Sequence, residues 1–449
     1  MTLLCALLVF VASASAVKNY AGYQVLRVVP QDVEQLQRVH DLYNLLEDTV
    51  DFWKEPTKVN GPVDIMVGPN IVKDVKMELS RRGLDFSIFV DDVRTNINNE
   101  KCTDCVITKA AFDYTVYHTS DEISQWVTDF ANEQPLVTEV NIGNSYEGRP
   151  IKAVKISSGG SKRVIYIQGG IHAREWISPA TMMYMANQLA TTYSTDATVK
   201  TMVDNYDWFI VPSLNVDGYA YSWINDRMWM KNRQPNPYSN CVGTDLNKNY
   251  PYQWGALGKD RMWMKNRQPN PYSNCVGTDL NKNYPYQWGG TGASPNKCSE
   301  TYRGAAALSG SEVSVVHDWI MRELFGNIAL FIDFHNYGQL WLYPWGYTDN
   351  ANTPQPDQDV QHSLAEVATN ASQAKFGTSY FVGMSGPNMN PASGASEDYG
   401  YGTLGVKYTY VVELRDEGQY GFNIPETMIE DSGIETFEAL KVFGTDPLN

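Results

Sequence analysis

Basic side chains are scarce in this chain, with 35 Lys and Arg against 51 Asp and Glu and a formal net charge of −16. Nucleic acid is excluded as a partner on that ground, because phosphate binding needs clustered Lys and Arg. Histidine is scarcer still, six in 449 residues, so each one weighs in the reading of a site. Charged residues amount to 19% and hydrophobic ones to 43%, which excludes a disordered chain and supplies a large core, with room for more than one domain. Beyond the N-terminus, no apolar run reaches the roughly 18 residues that a membrane span needs. The acidic balance itself carries no hint of substrate.

Cysteine is also sparse, with six in the chain. The opening MTLLCALLVFVASASA is an apolar run ending in small residues, and Ala14-Ser15-Ala16 fits a signal-peptidase site, although Lys and Arg are missing ahead of it. A signal peptide over 1–16 implies a soluble, extracellular protein in a disulfide-permissive compartment. Once Cys5 leaves with it, Cys102, Cys105, Cys241, Cys275 and Cys298 remain, an odd number for a secreted chain. Cys102 and Cys105 form a CxxC with no second pair, which favours a local disulfide or free thiols over a zinc or redox motif.

Cys241 and Cys275 are the same cysteine in a perfect internal repeat. The stretch DRMWMKNRQPNPYSNCVGTDLNKNYPYQWG runs from Asp226 to Gly255 and recurs unchanged from Asp260 to Gly289. Two copies rich in Pro, Asn, Gly and Tyr, without helical period, do not make a solenoid, which stacks three or more core-forming units. Deleting one copy makes the cysteine count even. The repeat therefore reads as material added to a working design, either a duplicated exon kept as a loop or an error in the gene sequence.

Residues 19–96 read as a small α+β unit: strands in GYQVLRVVP, VDIMVGP and LDFSIFVDDV, and helices in DVEQLQRVHDLYNLLED and NIVKDVKMELSRRG, the second closed by Gly83. A sheet with two helices on one face fits this order. A polar connector, RTNINNEKCTDCVITKAAFDY, follows and offers Lys109 to a trypsin-like protease. From about Phe112, apolar strands (RVIYIQ, DWFIVPSLN, NIALFIDFH, KYTYVVELRD) alternate with helices, one from Ser178 and one near 311–324. That pattern predicts an α/β fold, a mostly parallel mixed sheet with helices on both faces. A small domain, a cleavable linker and a large domain have the layout of a zymogen.

In such a sheet ligands gather beyond the carboxyl ends of the strands. RVIYIQ runs into GGIHAREWIS, which places His172 and Glu175 on a turn entering a helix, and FIDFHNYGQ brings His335 to a second strand end. Imidazole, carboxylate and imidazole suit Zn²⁺, and three protein ligands leave one position open, as a catalytic site requires. Taken alone, His335 reads sooner as a histidine hydrogen-bonded at a strand end, and it is the shared position of the three residues at strand ends that favours the metal.

GGIHAREWIS, DFHNYGQLWLYPWGY, CSETYRG and KYTYVVELRDEGQYGFNIP together resemble the motifs of the zinc metallocarboxypeptidases of the carboxypeptidase A/B family, and GYQVLRVVP with DFWKEP resembles that family's inhibitory propeptide. The similarity spans nearly the whole chain after the signal. It implies one Zn²⁺ held by His172, Glu175 and His335, with Glu413 of VVELRD as general base and proton shuttle. It implies a propeptide over 17–109, removed by a trypsin-like protease, and a carboxypeptidase domain over 110–449 that acts as a monomer on peptide and protein C-termini. Structurally, Glu413 could instead be a strand-end residue paired with Arg415.

Three positions depart from the family pattern. Where the family has an arginine after the tryptophan of DRMWMKNR, to stabilise the oxyanion, this chain has Met230 and, in the second copy, Met264. Where an Asn-Arg pair binds the terminal carboxylate, it has Asn247-Lys248 and Asn281-Lys282, and lysine keeps the charge while losing the bidentate fork. Where a tyrosine precedes the Pro-Ala-Ser-Gly run it has Asn390, with Tyr399 and Tyr401 nearby as replacements. The expected consequence is reduced or altered activity, or a protein that only grips peptide C-termini. Comparing spacings with the family predicts a pocket using Arg227 and Met230 of the first copy with Asn281 and Lys282 of the second, and a Cys275–Cys298 disulfide. Glu397 resembles the pocket position that is acidic in relatives preferring C-terminal Lys or Arg, and reads otherwise as a solvated surface carboxylate. Asn370-Ala371-Ser372 is a glycosylation tripeptide.

Overall fold

The structure, a computed structural model, describes residues 17–46, 49–101, 112–230, 233, 308, 310–389 and 391–448, and the backbone of 255–256 and 290–291. Cys102, Cys105, Lys109, Asn247, Lys248, Met264, Cys275, Asn281, Lys282, Cys298 and Asn390 lie outside the described residues.

The N-terminal unit runs β1 (Gln24–Val28), α1 (Val33–Leu46), β2 (Asp51–Lys54), β3 (Val63–Val67), α2 (Val72–Arg81), β4 (Phe86–Val90), α3 (Val93–Asn99). Its sheet is antiparallel in the order β2-β3-β1-β4. Strand alternation divides its side chains between two partners. Leu26, Val28, Ile65 and Val67 pack against Val39 and Leu42 of α1 and Val75 and Leu79 of α2. Val25 and Met66 point the other way and, with Trp53 and Val90, meet Met228, Tyr337 and Phe422 of the large domain. This double cover is why β3 is buried at every position.

The sequence reading missed two elements here. β2 is a four-residue strand with charged ends, too short to show a period. The connector begins as a helix, not as a polar coil: Asp92 caps α3, its carboxylate accepting from the Arg94 backbone N–H, and Val93 is buried.

The large domain continues α4 (Ser120–Glu133), β5 (Val137–Asn144), β6 (Pro150–Ile156), β7 (Arg163–Gly169), α5 (Ile177–Thr191), α6 (Ala197–Asn205), β8 (Tyr206–Val211), α7 (Val216–Ile224). A short parallel pair, β9 (Gly255–Ala256) and β10 (Gly290–Thr291), joins the residues at the ends of the two repeat copies. Then come α8 (Ser311–Glu323), β11 (Ile328–His335), β12 (Leu340–Tyr343), α9 (Gln358–Phe376), β13 (Phe381–Met384), α10 (Ser385–Asn388), α11 (Ser396–Asp398), β14 (Tyr408–Glu413) and α12 (Ile429–Thr445). α4 opens with a capping box between Thr119 and Glu122.

The eight-stranded sheet has the order β13-β12-β14-β11-β7-β8-β6-β5. Its centre, β14-β11-β7-β8, is parallel, and antiparallel pairings flank it, β12 on β14 and β6 on β8 and β5. Alternate residues of the central strands feed two cores. Ile165, Ile167, Ile210 and Ile332 join Met182, Ala365 and Leu440 of α5, α9 and α12. Tyr166, Phe209 and Phe331 join Val316, Trp319 and Ile320 of α8 on the opposite face. The mixed α/β sheet covered on both faces is thus present as expected.

Candidate metal centre

The site is assembled where β7, β11 and β14 end. β7 leads into Gly169 and Gly170, and Gly170 has φ +64, with Ser213 Cα 3.0 Å from where a Cβ would stand. Only glycine turns there without strain. The turn is tied to the neighbouring strand by Ser178 in the first turn of α5. Its Oγ accepts from Gly170 N at 3.1 Å and donates to the Phe334 carbonyl at 2.6 Å. This crosslink holds the turn carrying His172 and Glu175 against the strand end carrying His335.

There the three side chains converge. His172 Nδ1 lies 2.6 Å from Glu175 Oε1, and His335 Nδ1 lies 3.1 Å from Glu175 Oε2 and 3.2 Å from His172 Nδ1. All three residues are buried, and their ligand atoms lie within 4.8 Å of one another. Burial works against the Glu175 charge, yet the two imidazoles hold its carboxyl down to about 2. Burial alone would depress His335, but Asp333 and Glu175 outweigh it and raise the imidazole well above its usual value. Glu175 and Asp333 gather negative charge around His335, a setting that a cation fits. Two nitrogens and a carboxylate facing one point are a donor set for zinc.

Glu413 ends β14, beside His335 in the parallel register. It is buried and has no hydrogen-bond partner among the described residues, while Arg415 instead makes a fork with Glu435. The alternative of a Glu413–Arg415 pair is thereby removed. Burial pushes the Glu413 carboxyl up to about 7. A three-donor cation site with a proton-accepting carboxylate beside it is equipped for metal-assisted hydrolysis.

Met230 belongs to the same neighbourhood. Its carbonyl accepts from Ala173 N at 2.8 Å, between two of the ligand residues, and from Asn215 Nδ2 at 3.3 Å. The first repeat copy therefore abuts the metal turn, and its thioether side chain offers no donor for an oxyanion. Arg227 is buried, its Nε donating to Glu100 at 2.8 Å and its Nη1 to the Arg174 carbonyl at 2.8 Å, with its guanidinium over Trp176. Tyr399 and Tyr401 do not replace the tyrosine missing at Asn390. Tyr399 is fully buried with its hydroxyl 3.0 Å from His317 Nδ1, and the Tyr401 hydroxyl donates to Asp357 at 2.9 Å. Glu397 is 3% exposed, which removes the surface reading, and burial raises its carboxyl.

The N-terminal unit contributes residues that the sequence did not single out. Asp51 accepts from Arg174 Nη1 at 2.9 Å, Asp64 from the Tyr337 hydroxyl at 2.9 Å, and Glu100 pairs with Arg227. Lys54 is half-buried, 4.9 Å over the Tyr337 ring, and its charge acts on Glu413. Their signal was weak because long-range ion pairs leave no local pattern. Asp333 was also missed, although two-residue alternation on β11 sets it on the face of His335.

The profile of the zinc carboxypeptidase family matches residues 123–260 and 256–439, and that of the carboxypeptidase activation peptide matches 26–100. The chain belongs to the zinc carboxypeptidase family. It is 34% identical to carboxypeptidase A1 of Mus musculus over 444 residues, covering 97% of this chain and 96% of that one. It is 35% identical to carboxypeptidase A2 of Mus musculus over 433 residues, covering 94% and 93%. Among solved structures, thrombin activatable fibrinolysis inhibitor superposes with a TM-score of 0.78 at 29% identity, covering 94% of this chain and 98% of the other. Carboxypeptidase A from Helicoverpa armigera gives 0.77 at 26% identity, covering 94% and 97%. The chain is thus a carboxypeptidase A-like zinc peptidase made with an activation peptide, and no described helix is long and apolar enough to cross a membrane.

Proposed function

We propose that the chain is a secreted zymogen with a signal peptide over 1–16, an inhibitory propeptide over 17–109 opened at Lys109 by a trypsin-like protease, and a monomeric catalytic domain over 110–449. His172, Glu175 and His335 hold the zinc. Zinc held there would supply Lewis acidity toward the scissile carbonyl and would ease the deprotonation of water at neutral pH. Glu413 accepts the proton of the attacking water and returns it to the leaving amine, a double duty suited to a carboxyl poised near 7. The carrying observation is this unpartnered, buried Glu413 in register with His335.

Substrate is a peptide C-terminus, and the buried carboxylate of Glu397, which has no cationic side chain bonded to it among the described residues, favours a basic last residue. Asn281 and Lys282 hold the terminal carboxylate. Met230, Met264 and Asn390 supply neither the family's oxyanion donor nor its tyrosine, and the expected result is a slowed enzyme. The contacts of Asp51, Lys54, Asp64 and Glu100 support a propeptide that covers the site until it is cut. The exposed position of Asn370 on α9 suits a glycan in a secreted protein.

Hydrolysis of two peptides differing only in a last Lys or Leu, by trypsin-treated protein with and without a zinc chelator, tests this reading. Faster, chelator-sensitive release of Lys is expected. Zinc-loaded protein that binds both peptides and cleaves neither would identify a C-terminus-binding protein instead.

A further inference from the structure

Asp333 stands two residues before His335 on the same face of β11, and it is fully buried. Its Oδ2 lies 3.2 Å from His335 Nε2, approached obliquely to the ring N–H axis. Neither carboxylate oxygen has another hydrogen-bonding partner among the described residues, and neither does His335 Nε2. The other ring nitrogen, Nδ1, faces Glu175 and His172. A buried carboxylate without hydrogen bonds is costly, so its persistence beside one imidazole calls for a compensating charge.

We propose that Asp333 is a positioning residue for the metal, acting through His335. Its carboxylate keeps the Nε2 proton on the ring and orients the imidazole, so that Nδ1 presents its lone pair to the cation. A carboxylate behind a ligating histidine also makes that ligand more basic. The cation in turn offsets the buried charge of Asp333 through the ring.

This inference rests on His335 being a zinc ligand, and the experiment separates the two. Zinc affinity of the full chain is measured by competition with a chromophoric chelator, for the unsubstituted protein and for Asp333→Asn, alongside the melting temperatures of the metal-free forms. Asp333→Asn is expected to bind zinc about 10- to 100-fold more weakly, with a metal-free melting temperature unchanged or higher. Affinity within roughly twofold of the unsubstituted chain, or weaker binding with a lower metal-free melting temperature, overturns the proposal, the second marking a merely structural role. An unsubstituted chain that binds no zinc overturns the metal-site reading itself.

If Asp333→Asn does not fold, nitrogen-15 spectra of histidine in the unsubstituted, zinc-loaded chain decide the matter. A protonated Nε2 and metal-bound Nδ1 on His335 support the proposal, and the opposite tautomer contradicts it.

Discussion

His172, Glu175, His335 and Glu413 are set at the ends of central strands, with Gly170 and Ser178 locking the turn between them. Met230, which lies in no helix or strand, belongs instead to the first copy of the duplicated segment, and the positions proposed to hold the substrate, Asn281 and Lys282, come from its second copy. The first group keeps every residue type that water activation needs. The second has a methionine and a lysine where the resemblance to the family leads one to expect the oxyanion-donating and carboxylate-binding arginines. Side chains built into the sheet core cannot change without disturbing packing on both faces, and it is there that the water-activating residues are kept.

The sharpest blow to the first region is Glu413→Gln, which should lower kcat by roughly 10² to 10⁴ while zinc content, read by metal analysis, stays the same. Next in size is Glu100→Gln, which leaves Arg227 buried without its countercharge. Breaking such a pair costs about 3–5 kcal/mol, seen as loosened propeptide contact and activity appearing before Lys109 is cut. On the pocket, Glu397→Leu should shift the Lys-over-Leu ratio of kcat/KM by about 10- to 100-fold toward Leu, the worth of a charged hydrogen bond at about 1.5–3 kcal/mol. The smallest effect belongs to the repeat. Deleting residues 256–289 removes Asn281 and Lys282 but brings the identical Asn247 and Lys248 of the first copy to the same distance from the sequence that follows, so peptidase activity should change by less than about threefold, loop length weighing little on closure entropy.

Much of the large domain was legible in the sequence because buried strands alternate with helices and because strand ends collect polar residues. RVIYIQ and KYTYVVELRD needed no structure to be read. β2 and α3 escaped because a four-residue strand has no period and a helix capped by one aspartate looks like polar coil. The zinc ligands were legible as a cluster only once strand ends were aligned, since an HxxE by itself is a weak signal. The ion pairs from Asp51, Asp64 and Glu100 were not legible, because each joins residues far apart in sequence. Glu397 could be read both ways until burial removed the surface reading.

The contrast between the two regions is tested most directly by Met230→Arg in the protease-activated, zinc-loaded chain, with kcat measured on one peptide. Restoring the missing donor should raise kcat by roughly 10² to 10³, with zinc affinity unchanged. A kcat equal to that of the unsubstituted chain would contradict the account, because it would mean that the defect, if any, lies in the metal-binding strands and not in the segment that holds the substrate.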